Sequence, residues 1–409
     1  MMNNINIDNV CFSDTAKFIK KGDKVVIGNI KNSGLWIKIN YQDLKVIQKF
    51  VGQSNGFDLL MESVDEQYRG YFVKILNALA KIKVLERIGQ KPDNGKIREI
   101  SIELTTMCNL RCKHCSGEYG DKGKQTMPIE MFKKIIRWAD KNNIELITLS
   151  GGEVFCIPDV IEYFKFARKW FRGTISIITN ATLIRQEHIS ILQRCVDEIS
   201  ISLDGYDKKS VDFIRGAGVF ERVINTIHML KNNGIGNIAI TMVLTSDNRN
   251  HILDFNDFCY GLGVKPLTRI LSVKGRALQF YEDLVNDDER GKEDYITKKI
   301  NMLSLCDAGR ATISINSEGK VTMCAALEES NIVLGNVKEL DTILNSVERI
   351  NTECVVDMIE PCKLCDVRYF CSSVCQALNM NIYYNNELRE RRCIQYKDIL
   401  EKNVWGNNK

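Results

Sequence analysis

The sequence predicts an α/β protein built around a partial (β/α)6 barrel, with a small α+β domain ahead of it and a cysteine-rich region behind. Three patterns carry the prediction. Six β-prone runs alternate with amphipathic stretches between residues 94 and 300. Two β-prone runs and two helical stretches fill residues 1–93, and eight of the fifteen cysteines fall within residues 301–409.

In residues 1–93, KVVIGNI and GLWIKIN read as strands joined in a hairpin by Lys31-Asn32-Ser33-Gly34. Apolar residues at helical spacing follow in YQDLKVIQKFV and YRGYFVKILNALAKIKVLERIG. Trp36 and Ile37 suit a core or a groove equally, and no catalytic pattern appears. KPDNG, residues 91–95, is rich in turn formers and marks a seam.

From residue 98 the strands are REISIELT, IELITLSG, TISIITN, EISISLDG, IAITMVLT and VKPLTRILS. PIEMFKKIIRWADKNN, PDVIEYFKFARKWF, RQEHISILQRC, FERVINTIHMLKNNG and HILDFNDFCYGLG lie between them, each long enough for about three helical turns. Repeated βα units imply a parallel sheet with right-handed crossovers. An incomplete barrel and an open sheet both satisfy six repeats, and both place ligands at the carboxyl ends of the strands. Beyond residue 300 only ATISIN and KVTMC look like strands. With so little apolar periodicity there, metal is expected to substitute for hydrophobic burial.

Hydrophobic content of 44% and charged content of 26% are those of a soluble globular chain. A net charge of +4 gives no reason to expect a nucleic-acid or membrane partner. No apolar run approaches the ~20 residues that span a bilayer, and MMNNINIDNV lacks the features of a signal peptide, so a cytoplasmic protein is expected. Fifteen cysteines in a reducing compartment do not form a disulfide framework, and only four histidines accompany them. The cysteines therefore read as ligands of iron–sulfur clusters or all-thiolate zinc sites.

Cys108, Cys112 and Cys115 follow the first barrel strand directly, which puts them on the first strand-to-helix loop. Three thiolates on one loop can hold three irons of a [4Fe–4S] cluster and leave the fourth open to a ligand. A three-cysteine zinc site with a distant fourth ligand is the other reading.

With this spacing the sequence resembles the radical S-adenosylmethionine superfamily, whose signature is C-x3-C-x2-C with an aromatic residue before the last cysteine; His114 stands in that place. The resemblance implies that S-adenosylmethionine chelates the open iron and is cleaved to a 5′-deoxyadenosyl radical. It continues in Gly151, Gly152 and Glu153 after the second strand, where glycine permits close backbone approach and the glutamate region accepts from the methionine ammonium. Asn180 after the third strand, and Ser202 and Asp204 after the fourth, fall where the family contacts ribose and methionine. Arg215 matches an arginine that can pair with the methionine carboxylate. Loop or helix capping is the alternative for Asn180, Ser202 and Arg215 taken singly. No general base is assigned.

The spacing Cys306-x12-Gly319-x4-Cys324, then Cys362-x2-Cys365-x5-Cys371-x3-Cys375-x17-Cys393, resembles the seven-cysteine SPASM extension of radical enzymes that modify peptides and proteins. A zinc ribbon is the competing reading of the Cys-x2-Cys pair. By resemblance Cys362, Cys365, Cys371 and Cys393 hold one auxiliary [4Fe–4S] cluster, and Cys306, Cys324 and Cys375 hold another, for three clusters in all. Cys354 or a non-cysteine group completes the last, or one of its irons stays open. Of the remaining cysteines, Cys195 and Cys259 fall within helix patterns and read as packed apolar residues, Cys11 as surface or core of the small domain, and Cys156, three residues after Glu153, as a structural residue in preference to one facing the active-site mouth.

The layout of residues 1–93 resembles the winged-helix-like element that recognises leader peptides in ribosomally made, post-translationally modified peptide systems. Such elements bind the leader as an added strand, and KVVIGNI or GLWIKIN could offer the edge. Together these resemblances imply an enzyme that crosslinks a ribosomal precursor peptide, with thioether formation from substrate cysteines as the leading reaction and an external electron donor such as flavodoxin or ferredoxin. A carbon–carbon cyclase and a formylglycine-forming sulfatase maturase are the rival enzymes. A non-catalytic iron–sulfur or zinc module is the rival of another class.

Overall fold

The computed structural model describes residues 10–30, 34–87, 97–120, 123, 125–285, 302, 308–309, 311–327, 333–344, 357, 362–370, 393, 397–398 and 400–406. The chain forms two compact units. One contains Met1–Asn94, Glu293–Cys306 and Thr352–Lys409; the other contains Gly95–Lys292 and Asp307–Asn351. This grouping cuts across the expected boundary at residue 300, because part of the cysteine-rich region completes each unit.

In the first unit a ribbon of β1 (Val10–Phe12) and β5 (Leu85–Arg87) accompanies an antiparallel sheet in the order β2 (Ala16–Lys21), β3 (Lys24–Asn29), β4 (Trp36–Asn40). Helices α1 (Tyr41–Phe50), α2 (Gly56–Ser63) and α3 (Glu66–Lys81) follow. β3 and β4 are the expected strands, while the connection through Lys31, Asn32 and Ser33 lies outside the described residues. β2, which KFIKK did not announce, pairs with the other edge of β3. KVVIGNI is therefore central and cannot offer an edge; among the described strands β2 and β4 hold the two edges of this sheet.

The apolar run of β3 is explained by burial on both faces. Val25 and Ile27 pack with Leu44, Ile47 and Leu76 of the helices, whereas Val26 packs with Val367, Phe370 and Val404 of the C-terminal region. Trp36 belongs to this second core, with its ring edge-on to Phe370 at 5.3 Å. The expectation that metal replaces apolar burial in the C-terminal region is modified by its described residues: Val367, Phe370 and Val404 take one face of the N-terminal sheet as their core. Asp357 reinforces the seam, accepting from Lys17 Nζ at 2.9 Å, Arg368 Nε at 2.9 Å and Tyr369 Oη at 2.5 Å.

The second unit contains β6 (Glu99–Thr105), β7 (Leu146–Gly151), β8 (Thr174–Thr179), β9 (Glu198–Ser202), β10 (Ile238–Leu244) and β11 (Lys265–Ile270). Each is parallel to the next. This sequential order is the winding of a partial barrel; an open doubly wound sheet would reverse direction part-way. Helices α4 (Ile129–Lys141), α5 (Val160–Trp170), α6 (Ile189–Cys195), α7 (Lys208–Arg215), α8 (Val219–Asn232) and α9 (Ile252–Gly261) occupy the crossovers. In α4, Phe132, Ile135, Ile136 and Ala139 form the buried stripe at i, i+3, i+4 and i+7. Cys195 and Cys259 are buried in this core, as their helical positions imply. Short helices α10 (Arg276–Gln279) and α11 (Tyr281–Leu284) end the run.

The sheet also continues past β6. β12 (Thr312–Ile315) pairs parallel with β6, and β13 (Lys320–Thr322) and β14 (Gly335–Asn336) add antiparallel. An exposed first strand would leave a row of unpaired backbone groups, and ATISIN covers it. No helix among the described residues is long and apolar enough to cross a membrane.

Asp357 supports a pH prediction. Burial raises its carboxyl, but bonds from Lys17, Tyr369 and Arg368 outweigh this and hold it below its usual range. A carboxyl held low in the fold stabilises above the unfolded value of about 4 and loses that contribution as pH falls. Denaturant titrations from pH 7 to 3 should show Asp357→Asn less stable at pH 7 and less sensitive to acid than the parent, the two converging at low pH.

Candidate active site

Loops at the carboxyl ends of the parallel strands enclose a cavity of about 310 Å³, bordered by Cys108, Cys112 and Cys115 on one side and by Thr179, Ser202 and Arg269 on the others. The cysteine loop is fixed by its backbone. Lys113 N donates to Ile214 O at 2.9 Å, and Cys115 O accepts from Arg276 N at 3.0 Å. Burial pushes the Cys108 and Cys112 thiols up to about 11, so neither ionises near neutrality without a cation. Arg215 acts in the opposite sense on Cys112, with Nη1 3.9 Å from its Sγ.

The glycines dock β7 against this loop. Gly152 N donates to Thr105 O and Glu153 N to Met107 O, both at 2.8 Å. A Cβ on Gly151 would stand 2.3 Å from Thr105 O, where φ is already +142°, and one on Gly152 would stand 2.2 Å from Met107 O. Only glycine permits this approach. Glu153 is fully buried, and its carboxylate accepts from Thr179 Oγ1 at 2.7 Å, Asn180 N at 2.6 Å and Phe155 N at 3.2 Å. Burial nonetheless raises its carboxyl above the ordinary value. The side chain is thus spent on the end of β8, and the backbone around it faces the site. Asn180, which lines the cavity, is oriented in turn by Asn109 Oδ1 at 2.9 Å, two residues before Arg111 of the cysteine loop.

Asp204 is the second buried carboxylate and joins the most distant parts. His114 Nε2 lies 2.5 Å and Arg215 Nη2 2.6 Å from Oδ2, while Oδ1 accepts from Val243 N at 2.7 Å. Burial alone would raise this carboxyl, but Arg215 and His114 outweigh it and hold it well below the usual carboxylate range. His114, Ser202 and Arg215 line the cavity, and Asp204 stands behind them. Arg215 has given Nη2 to Asp204 and Nη1 to Cys112. Nε is buried without a partner, and each Nη keeps one further N–H.

Three polar residues in this architecture carry no sequence motif. Glu103 accepts from Tyr119 Oη at 2.5 Å and from Ser317 Oγ at 2.9 Å, tying the cysteine loop to the turn after β12. Buried Arg276 clamps the same loop through Nη1 to Cys112 O and Nη2 to Tyr119 O, each 3.1 Å. Lys274 Nζ donates to Ala326 O at 3.2 Å, which holds the rim of the cavity against the segment following Cys324.

The described C-terminal cysteines divide between the units: Cys324 follows β13 in the barrel unit, whereas Cys362, Cys365 and Cys393 belong to the other. Cys365 N donates to Cys362 O at 2.9 Å in a short turn packed on the shared core. Cys306, Cys354, Cys371 and Cys375 lie outside the described residues. Cys156 sits beside Cys108 and Glu153. Among the described residues no three Cys, His, Asp or Glu side chains converge on a single-ion site. The first loop instead presents three thiols beside a cavity that holds partnerless buried atoms, Arg215 Nε and Ser272 Oγ. That donor set fits a cluster with one iron left for a ligand.

Asp204→Asn would leave Arg215 buried without its counter-charge, and loss of one partner from a buried ion pair costs about 3 to 5 kcal/mol. Chemical denaturation should show a loss of that order, together with reduced iron incorporation on anaerobic reconstitution. A stability change below about 0.5 kcal/mol, typical of surface positions, would show that Asp204 is not the hub of the site.

Comparisons with known proteins agree with this geometry. Residues 102–259 match the radical SAM superfamily, and residues 306–366 match the SPASM iron–sulfur cluster-binding domain. The antilisterial bacteriocin subtilosin biosynthesis protein AlbA of Bacillus subtilis is 24% identical, over 86% of this chain and 88% of that protein. The mycofactocin maturase MftC of Mycolicibacterium smegmatis is 25% identical, over 63% of this chain and 72% of that protein. The structure of Streptococcus suis SuiB bound to precursor peptide SuiA superimposes with a TM-score of 0.53 at 16% identity, covering 91% of this chain and 97% of that one, and so shares the fold. The thiol loop and its cavity, read with these matches, make the chain a radical S-adenosylmethionine enzyme with a SPASM domain, whose cofactors are [4Fe–4S] clusters and S-adenosylmethionine.

Proposed function

We propose that the protein modifies a ribosomally made precursor peptide and that its product is a thioether crosslink from a substrate cysteine. The observation that carries the proposal is that Lys274, two residues after the cavity-lining Ser272, donates to the carbonyl of Ala326, two residues after Cys324, which supports a role for Cys324 as an auxiliary-cluster ligand near the site of radical chemistry. Two likenesses support the peptide reading: to AlbA, named for the biosynthesis of the bacteriocin subtilosin, and to MftC, a mycofactocin maturase.

When bound, the clusters supply single electrons, the one on Cys108, Cys112 and Cys115 to cleave S-adenosylmethionine into methionine and a 5′-deoxyadenosyl radical, those of the SPASM region to take up the electron left over as a thioether forms. The chain's own residues prepare for this. Gly151 and Gly152 let β7 close against the cysteine loop, Asn180 and Ser202 present polar groups to the ligand, and Arg215 offers Nε. Asp204 keeps His114 and Arg215 in place through substrate exchange.

Each thioether removes two hydrogens from the peptide. One leaves with 5′-deoxyadenosine, and the other leaves the thiol as a proton, its electron passing to the protein. The N-terminal unit is the proposed leader reader, with β4 or β2 offering the edge to which an extended peptide adds.

The test is anaerobic reaction of the reconstituted protein, S-adenosylmethionine and reductant with a cysteine-containing precursor encoded by a neighbouring short reading frame, followed by mass spectrometry and thiol alkylation. A loss of two hydrogens per crosslink accompanied by loss of one alkylatable thiol is expected. The same mass loss with every thiol still alkylatable would contradict thioether formation and favour a carbon–carbon bond.

A further inference from the structure

One cation of the cavity is unaccounted for by the network around Asp204. Arg269 lies near the carboxyl end of β11, and its side chain lines the cavity. The other two arginines of the site are committed, Arg215 to Asp204 and Cys112, Arg276 to the carbonyls of Cys112 and Tyr119. Among the described residues no carboxylate or hydrogen-bond acceptor meets the Arg269 guanidinium, which is open to solvent where it lines the cavity. A guanidinium with its donors unspent at a cavity wall is free to pair with a ligand that supplies the counter-charge.

Three residues further on, Ser272 lines the same cavity with Oγ buried and without a partner. The chain then turns back onto the cysteine loop. Gly275, at φ +58°, approaches so closely that a Cβ would stand 2.5 Å from Ser116 O, and Arg276 N donates to Cys115 O. Arg269 and Ser272 thus border the cavity on a segment anchored to the cluster-binding loop. The planar fork of a guanidinium matches a carboxylate with two parallel hydrogen bonds, and a hydroxyl adds a third donor.

We propose that Arg269 and Ser272 form a carboxylate-binding subsite of the cavity. The carboxylate has two possible sources: the methionine portion of S-adenosylmethionine, or an acidic side chain or carboxyl terminus of a peptide substrate. The peptide source rests on the reading given under Proposed function, whereas the binding measurements below require no turnover.

The experiment is calorimetric titration of the full-length, anaerobically reconstituted holoenzyme and its Arg269→Gln, Arg269→Lys and Ser272→Ala variants. In one arm the probes are S-adenosylmethionine and its decarboxylated analogue. In the other they are N-acetylglutamate amide and N-acetylglutamine amide, added to enzyme saturated with S-adenosylmethionine. Loss of a charge-assisted hydrogen-bonded pair should weaken the carboxylate-bearing probe roughly ten- to a hundredfold in Arg269→Gln. Its carboxylate-free counterpart should be unaffected, with partial recovery in Arg269→Lys and a smaller loss in Ser272→Ala. An effect confined to the first arm assigns the subsite to S-adenosylmethionine, and one confined to the second assigns it to the peptide. The proposal is overturned if Arg269→Gln binds every probe as the parent does, if it weakens probes with and without a carboxylate alike, or if it changes only the electron paramagnetic resonance of the cluster.

Discussion

A single buried carboxylate, Asp204, fastens together the parts of the site that the chain brings from furthest apart. It receives His114 from the cysteine loop, Arg215 from the end of α7 and the backbone of β10. Removing this group from water is costly, and the Arg215 guanidinium together with hydrogen bonds to His114 and Val243 N offsets the cost. Asp204 itself adopts φ +71°, a left-handed conformation uncommon outside glycine, aspartate and asparagine. The strained backbone aims both oxygens at fixed partners. Without that arrangement Cys112 would lose the guanidinium beside its sulfur, and the loop would lose the histidine that anchors its centre.

Glu153 does comparable work at the neighbouring strands. Its carboxylate closes off the end of β8, while the glycines before it let β7 meet the cysteine loop backbone to backbone. The far end of the arc returns to the same loop through Gly275 and Arg276. The partial barrel is therefore closed at its functional end by loop contacts instead of further strands. This leaves a cavity whose polar wall groups are mostly satisfied within the protein, with Arg215 Nε and Ser272 Oγ buried without a partner.

Much of this was legible in the sequence where a pattern repeats. The six parallel strands showed as β-branched runs at regular intervals, and the thiol loop and the Gly151–Gly152 pair showed because ligand spacing and close backbone approach restrict residue choice locally. What stayed hidden depends on pairing across long separations. His114 and Asp204 are ninety residues apart, and no local pattern announces that they meet. Glu103, Ser272 and Arg276 are isolated polar residues whose significance comes only from burial, and Arg269 stands out only because the fold sets it at the cavity. The C-terminal region looked too poor in apolar periodicity to build a core. Its few apolar residues, Val367, Phe370 and Val404, suffice because Val26 and Ile19 of the N-terminal sheet supply the other half. Similarly, β2 carries no strand signature because KFIKK sets two adjacent apolar residues among lysines, with no alternation to set it apart from a surface loop.

The account turns on the claim that the loop of Cys108, Cys112 and Cys115 serves a cavity in which S-adenosylmethionine is split. The direct measurement is chromatographic quantification of 5′-deoxyadenosine after anaerobic incubation of the reconstituted protein with S-adenosylmethionine and dithionite, beside a variant with all three cysteines replaced by alanine. The account predicts product from the parent and none above background from the variant, which should also lose ~4 irons per chain, the content of one cubane cluster. No 5′-deoxyadenosine from a parent carrying its full iron complement would contradict it.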